Sequence, residues 1–194
     1  MDEAFFYYSE YFIQRGINVP RIYAINSSRT MYLLEDLGNT TLYDLLQQKK
    51  KCASNPFDGE MLELYKQVID NLILIQTKGA DANFDISYPR ASFDTTSIKW
   101  DLNYFKYHFL KLAYIPFDEQ LLENDFEKFT QYINSLGQTA FMYRDFQSRN
   151  IMVVGNELYF IDYQGGRRGP MHYDLASLLY DAKAEIPNDV RQQL

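Results

Sequence analysis

Asp145, Asn150 and Asp162 are the three side chains whose types and order can do chemistry. Asn150 stands just before an apolar run, Ile151–Val154, and Asp162 just after a second, Leu158–Ile161. Gly155-Asn156-Glu157 separates the runs and signals a hairpin turn. Antiparallel pairing would then set Asn150 and Asp162 side by side at the hairpin's open end. A neutral oxygen donor and a carboxylate at one point suit Mg²⁺, which takes one or two protein oxygens and leaves its other positions to water and phosphate. Asp145 lies five residues before Asn150. From there it can accept a hydrogen bond from an attacking hydroxyl while the metal holds the phosphates.

Either piece alone is weak, because Asp-x-x-x-x-Asn recurs by chance and polar residues beside a hairpin ordinarily serve the turn. Together, with a helix-capping Asp174 downstream, they form a specific pattern. Gly165-Gly166-Arg167-Arg168-Gly169 follows Asp162 closely and is expected to be a loop near the acceptor pocket. Its glycines would bend at little steric cost, and its guanidiniums can grip a carboxylate or phosphate oxygen. A solvated surface turn explains the same five residues.

The elements that must position these groups can be read from periodicity. Residues 2–15 place Phe5, Tyr8, Phe12 and Ile13 at helical spacing, with Gly16 as a stop. Arg21–Ile25 and Met31–Glu35 read as a hairpin around the turn Asn26–Thr30. Asn39, Thr40 or Thr41 can cap a short helix reaching Lys51. Glu60–Lys78, Ser97–Tyr114, Asp118–Leu136 and Pro170–Ala184 are the remaining helices, and the turn-rich stretch Asp81–Thr96 is a loop. Aromatics at helical spacing such as Trp100, Tyr104 and Tyr107 are read first as core, with sugar stacking as the alternative.

Composition narrows the function classes. A chain of 194 residues, 46% hydrophobic and 23% charged, is that of a folded globular domain. No apolar run approaches the ~20 residues that span a bilayer, and Asp2 and Glu3 stand where a signal peptide would be positive. A net charge of -7 opposes nucleic-acid binding. The Lys49–Lys51 triplet is read as a solvated helix end. A single cysteine, Cys52, excludes an internal disulfide and a thiolate metal cluster, and the expected setting is the cytoplasm.

The run Tyr143-Arg144-Asp145-Phe146-Gln147-Ser148-Arg149-Asn150, followed by Ile161-Asp162-Tyr163-Gln164, resembles the catalytic and metal-binding motifs of the kinase-like superfamily. It is most similar to the aminoglycoside phosphotransferase and choline kinase branch. Within that branch, the Arg-Asp-Phe-x-Ser-Arg-Asn run and the later Gly-Pro-x-x-Tyr-Asp-Leu-Ala-Ser-Leu-Leu resemble bacterial kinases of the anomeric carbon of N-acetylmuramate or N-acetylglucosamine. The resemblance implies an α+β, protein-kinase-like fold. A partial N-lobe over residues 1–37, helix plus β-hairpin, would precede a mostly helical C-lobe over 38–194 that holds the catalytic hairpin.

The resemblance further implies ATP and Mg²⁺ as cofactors and a small-molecule acceptor: an amino sugar, amino alcohol or aminoglycoside. Asp145 would be the base, Asn150 and Asp162 the metal ligands, and Asp174 a buried pin of the loop, with Gln147 and Arg149 in support. Leu34-Glu35-Asp36-Leu37-Gly38 resembles the hinge, so Glu35, Asp36 and Leu37 would meet adenine through their backbone, and Glu3 resembles the ion-pairing glutamate of the N-lobe helix. Arg167 and Arg168 are the candidate substrate contacts.

Tyr143 replaces the usual histidine. Gln147 stands where protein kinases carry lysine, and no Ala-Pro-Glu segment follows. The first lysine is Lys49, and no Gly-rich loop precedes residue 16. The expectation is a chain truncated at both ends, lacking the phosphate grip and poor in MgATP binding as it stands. The rival from another class is a non-catalytic scaffold of the same fold.

Overall fold

A computed structural model describes residues 2–194. Helix α1 spans Asp2–Gln14 and leads through Asn18–Pro20 to a hairpin of β1, Ile22–Ile25, and β2, Tyr32–Leu34. Helix α2, Leu42–Cys52, starts at a capping box in which Thr41 and Asp44 satisfy each other's backbone N–H groups. Helix α3, Gly59–Lys78, is capped by Asp58. Helix α4, Thr95–Phe105, and helix α5, Glu119–Ser135, are capped by Asp94 and Asp118. Strand β3, Ala140–Met142, precedes the central hairpin of β4, Ile151–Val154, and β5, Glu157–Phe160. Strand β6, Arg167–Gly169, then helices α6, His172–Leu179, and α7, Asn188–Gln193, complete the order. The expected α+β arrangement is present.

Four local expectations change. The stretch expected to be a Gly-Arg loop is strand β6, paired antiparallel with β3 in the register Phe141↔Arg168 and Met142↔Arg167. Its other edge bonds Ala91 and Phe93. The glycines there give room rather than bend: a Cβ on Gly166 would sit 2.1 Å from the Phe141 ring, and one on Gly169 2.7 Å from the Met142 sulfur. The long aromatic helix breaks after Phe105 into a π-turn, Lys106–Leu110. That turn carries Lys106 inward to Glu119 at 2.6 Å and Glu123 at 2.7 Å on α5.

Trp100, Tyr104 and Tyr107 are exposed rather than core, because α4 turns Ser97 and Ile98 inward and the π-turn does the same with Lys106 and Leu110, leaving those rings outside. Helix α6 ends at Leu179, because Asp181 turns aside to accept hydrogen bonds from Ser148.

The core is aromatic. The buried Phe141 ring meets Tyr8 and Phe12 edge-on at 5.0 Å and lies 6.0 Å from Phe84. Phe146 stacks on Phe160 at 5.8 Å, which seats the loop after β3 on the hairpin. Rings of this size each contribute about 1.5–3 kcal/mol on burial. Gly166→Ala should therefore lower stability by about 2 kcal/mol, since the fully buried Phe141 ring has nowhere to go. Gly59→Ala, with open space around its Cβ, should cost nothing. Guanidinium unfolding midpoints of the two variants check this, and equal midpoints would contradict it.

Candidate active site

The loop leaving β3 takes its shape from Asp174. That carboxylate, in the first turn of α6, is fully buried. It accepts hydrogen bonds from the backbone N–H of Tyr143 at 2.8 Å and of Arg144 at 2.9 Å, and from Gln76 Nε2 at 3.1 Å. Loss of water raises its pKa to about 6, against the pull of those donors. The Tyr143 hydroxyl donates to the Ile161 carbonyl at 2.5 Å, tying the loop to the end of β5. Ser148 closes the far side by donating its N–H and hydroxyl to Asp181.

The hairpin is gripped on both edges. Val153 N–H donates to the Thr40 carbonyl and Phe160 N–H to the Asn18 carbonyl, each at 2.9 Å. Gly155, at φ 61°, supplies the tight two-residue turn. Strand β5 therefore starts one residue earlier than the apolar run suggests, and Ile161 N–H, rather than that of Asp162, closes the mouth on the Asn150 carbonyl at 3.1 Å. Asp162 stands one step beyond, at φ 70°. Asn150 Nδ2 donates to the Asp145 carbonyl at 2.9 Å and reaches the Asp162 carboxylate at 3.4 Å. Asp145, Asn150 and Asp162 thus meet at one place.

Asp145 reaches solvent, and among the described residues its carboxylate makes no side-chain hydrogen bond. The protein beneath it still strips enough water to raise its pKa. The Asp162 charge adds to that, while Arg144, Arg149 and Arg167 oppose it. A cleft of 550 Å³ opens at the hairpin mouth. Phe5, Pro20, Tyr32 and Leu34 form one wall, and Asn150, Ile161, Asp162 and Gln164 the other.

The remaining predicted residues lie around this centre. Gln147 Oε1 accepts two hydrogen bonds from the Arg149 guanidinium. The Glu35 carboxylate accepts from Arg21 N–H at 3.1 Å and so closes the open end of the first hairpin, while Asp36 accepts from Gly38 N–H at 2.9 Å in the turn after β2. Leu34, rather than the side chains of Glu35, Asp36 or Leu37, lines the cleft. Glu3 pairs with Arg29 at 2.7 Å across the top of the first hairpin.

Arg167 is buried with its guanidinium on the carbonyls of Gly165 and Tyr88, whereas Arg168 is exposed above Phe84. Periodicity missed Gln76 and Asp101. Gln76 had a signal, a polar residue in the apolar stripe of α3. Asp101, which takes the Arg144 guanidinium with two hydrogen bonds of 2.6 and 2.8 Å, had none.

Among the described residues no three His, Cys, Asp or Glu side chains gather to hold a metal unaided. Asn150 and Asp162 offer hard oxygen donors of the kind Mg²⁺ accepts when water and phosphate fill its other positions. Asn150, its NH₂ spent on Asp145 and Asp162, keeps its Oδ1 free for that use.

The family model of phosphotransferase enzymes matches residues 3–194. The chain belongs to the phosphotransferase enzyme family. N-acetylmuramate/N-acetylglucosamine kinases are similar to it. The Pseudomonas aeruginosa protein is 25% identical over 89% of this chain and 47% of its own length. The Pseudomonas putida protein is 27% identical over 88% and 47%. This phosphotransferase chain spans about half the length of the curated relatives it matches. A crystal structure of an aminoglycoside-3'-phosphotransferase of type VIII shares the fold at a TM-score of 0.54 and 12% identity, covering 98% of this chain and 68% of that one. The fold is kinase-like. No described helix is long and apolar enough to cross a membrane.

Asp174 gives this phosphotransferase fold a pH signature. Its folded pKa, about 6, lies above the ~3.9 of an unfolded aspartate. Its stabilising share is then complete below about pH 4 and is lost as pH rises through 6. The stability advantage of wild type over Asp174→Asn should narrow by about 2 kcal/mol between pH 4 and pH 7. Chemical unfolding of both proteins across that range measures it, and a gap that widens with pH would contradict it.

Proposed function

We propose that this chain is the catalytic part of an ATP-dependent kinase that passes a phosphoryl group to a hydroxyl of an amino sugar. The observation that carries the reading is the convergence of Asp145, Asn150 and Asp162 at the mouth of one hairpin. Residues 1–37 then serve as part of the nucleotide lobe and 38–194 as the catalytic lobe. Adenine lies in the cleft against Leu34 and Ile161, where the backbone of Glu35, Asp36 and Leu37 follows as the hinge. Asn150 and Asp162 would hold Mg²⁺, which would supply charge neutralisation on the phosphates.

Asp145 orients the acceptor hydroxyl and takes its proton as the new O–P bond forms and the bond to the ADP leaving oxygen breaks. Little covalent help is needed, so alignment is the protein's main contribution. An amino-sugar acceptor is supported by the names of the similar proteins. A cytoplasmic setting, where ATP is abundant, goes with this reading.

Phosphoryl transfer to N-acetylmuramate and N-acetylglucosamine should be followed in the 194-residue chain and in the gene's full reading frame. Asp145→Asn should lower turnover by ~10²–10⁴-fold, about 3–5 kcal/mol of barrier, with folding unchanged. Turnover within threefold of wild type would remove Asp145 from the role.

Arg167 is the better of the two candidate arginines for an acidic acceptor. It is buried without a carboxylate partner among the described residues, and its charge acts on Asp145. Arg167→Ala should cost roughly ten- to a hundredfold in kcat/KM on N-acetylmuramate, with little change on the neutral sugar. Arg168→Ala should cost less on either. Equal losses from Arg167→Ala on both sugars would contradict this.

A further inference from the structure

Arg144 carries the most demanding backbone in the catalytic loop. Its φ of 87° lies in the left-handed region, where a side chain is strained and glycine is not. The residue nevertheless keeps a full side chain immediately before Asp145. Its guanidinium is held on one side by Asp101, with hydrogen bonds of 2.6 and 2.8 Å. Phe93 and Tyr173 flank it, each ring centre 5.5 Å away. The Tyr173 hydroxyl also reaches Asp101 at 3.3 Å, so the carboxylate is itself fixed.

Asp101 rides on a firm base. Phe93, just before α4, donates its N–H to the Arg168 carbonyl at 2.8 Å, and Gln138 Nε2 donates to the Phe93 carbonyl at 2.6 Å. A forked pair between half-shielded groups has the geometry that makes an Arg–carboxylate contact strong. It sets where the side chain of residue 144 goes, and the backbone must follow.

We propose that Asp101 is a positioning residue: by holding the Arg144 guanidinium it keeps residue 144 left-handed, aims Asp145 at the hairpin mouth, and joins the α4–α5 arm to the catalytic loop as one body. This rests on the phosphotransferase reading only for what the loop is aimed at. The clamp itself is a statement about the backbone.

Hydrogen exchange of the Tyr143 and Arg144 amides, both bonded to Asp174, tests it in the full 194-residue chain. Asp101→Ala should speed their exchange about tenfold while peptides from α3 keep the wild-type rate. Arg144→Ala loses the clamp and keeps the strain, so it should match Asp101→Ala. Arg144→Gly loses the clamp and the strain together, so it should stay closer to wild type. A purely structural role for Asp101 would not separate alanine from glycine at position 144. If Asp101→Ala does not fold, Asp101→Asn supplies the same comparison.

Wild-type exchange in the Asp101 variant, or equal rates in Arg144→Ala and Arg144→Gly, would overturn the clamp. Turnover in Asp145→Asn within threefold of wild type would overturn the phosphotransferase reading instead and leave the exchange result standing.

Discussion

A carboxylate stripped of water must be met by donors, and in this molecule that demand organises the loop after β3. Asp174 is fully buried and gathers the amides of Tyr143 and Arg144 with the side chain of Gln76. Helices α3 and α6 and the end of β3 are joined by that one group. An unmet buried acceptor costs more than a made hydrogen bond returns. The loop is therefore held with both of its amides turned inward beside Gln76 of α3. Everything downstream, from the turn at Ser148 to the mouth of the hairpin, inherits its position from there.

Two non-glycine residues, Arg144 and Asp162, sit at positive φ on either side of the site. Strain of this kind persists only where surrounding contacts overdetermine it. At Arg144 those contacts are Asp174 through the backbone and Asp101 through the side chain. At Asp162 they are the Asn150 and Gln164 amides on its carboxylate, and the neighbouring Tyr163 ring, whose hydroxyl bonds Ser9 of α1 at 2.5 Å. The first helix is thus coupled to the open end of the hairpin by a polar contact inside an otherwise aromatic interface, with Phe5 stacked on Tyr163 at 5.7 Å.

Most of this was legible along the chain because it is local. The order of Asp145, Asn150 and Asp162 around two apolar runs and a turn fixes a hairpin with its polar residues at one end. Two short apolar runs on either side of a Gly155 turn leave few other solutions. Thr41, one of three residues read as a cap, does start its helix, whereas the caps Asp58, Asp94 and Asp118 emerged only with the fold. The kinase-like architecture was implied by the resemblance of the Tyr143–Asn150 and Ile161–Gln164 motifs, not by periodicity.

What the tertiary structure decided is whatever depends on partners far away in sequence. Strand β6 became a strand because β3 and Ala91–Phe93 offered edges to both sides of it, and its glycines answer to the Phe141 ring and Met142 rather than to a bend. The aromatics of α4 faced outward because Ser97 and Ile98 took the inner face, and the π-turn brought Lys106 to acids on α5. Asp101 of α4 met Arg144 in the loop after β3. Periodicity tells which residues share a face; only the packed chain tells which face finds a partner, because burial and charge pairing are settled between elements and not within them.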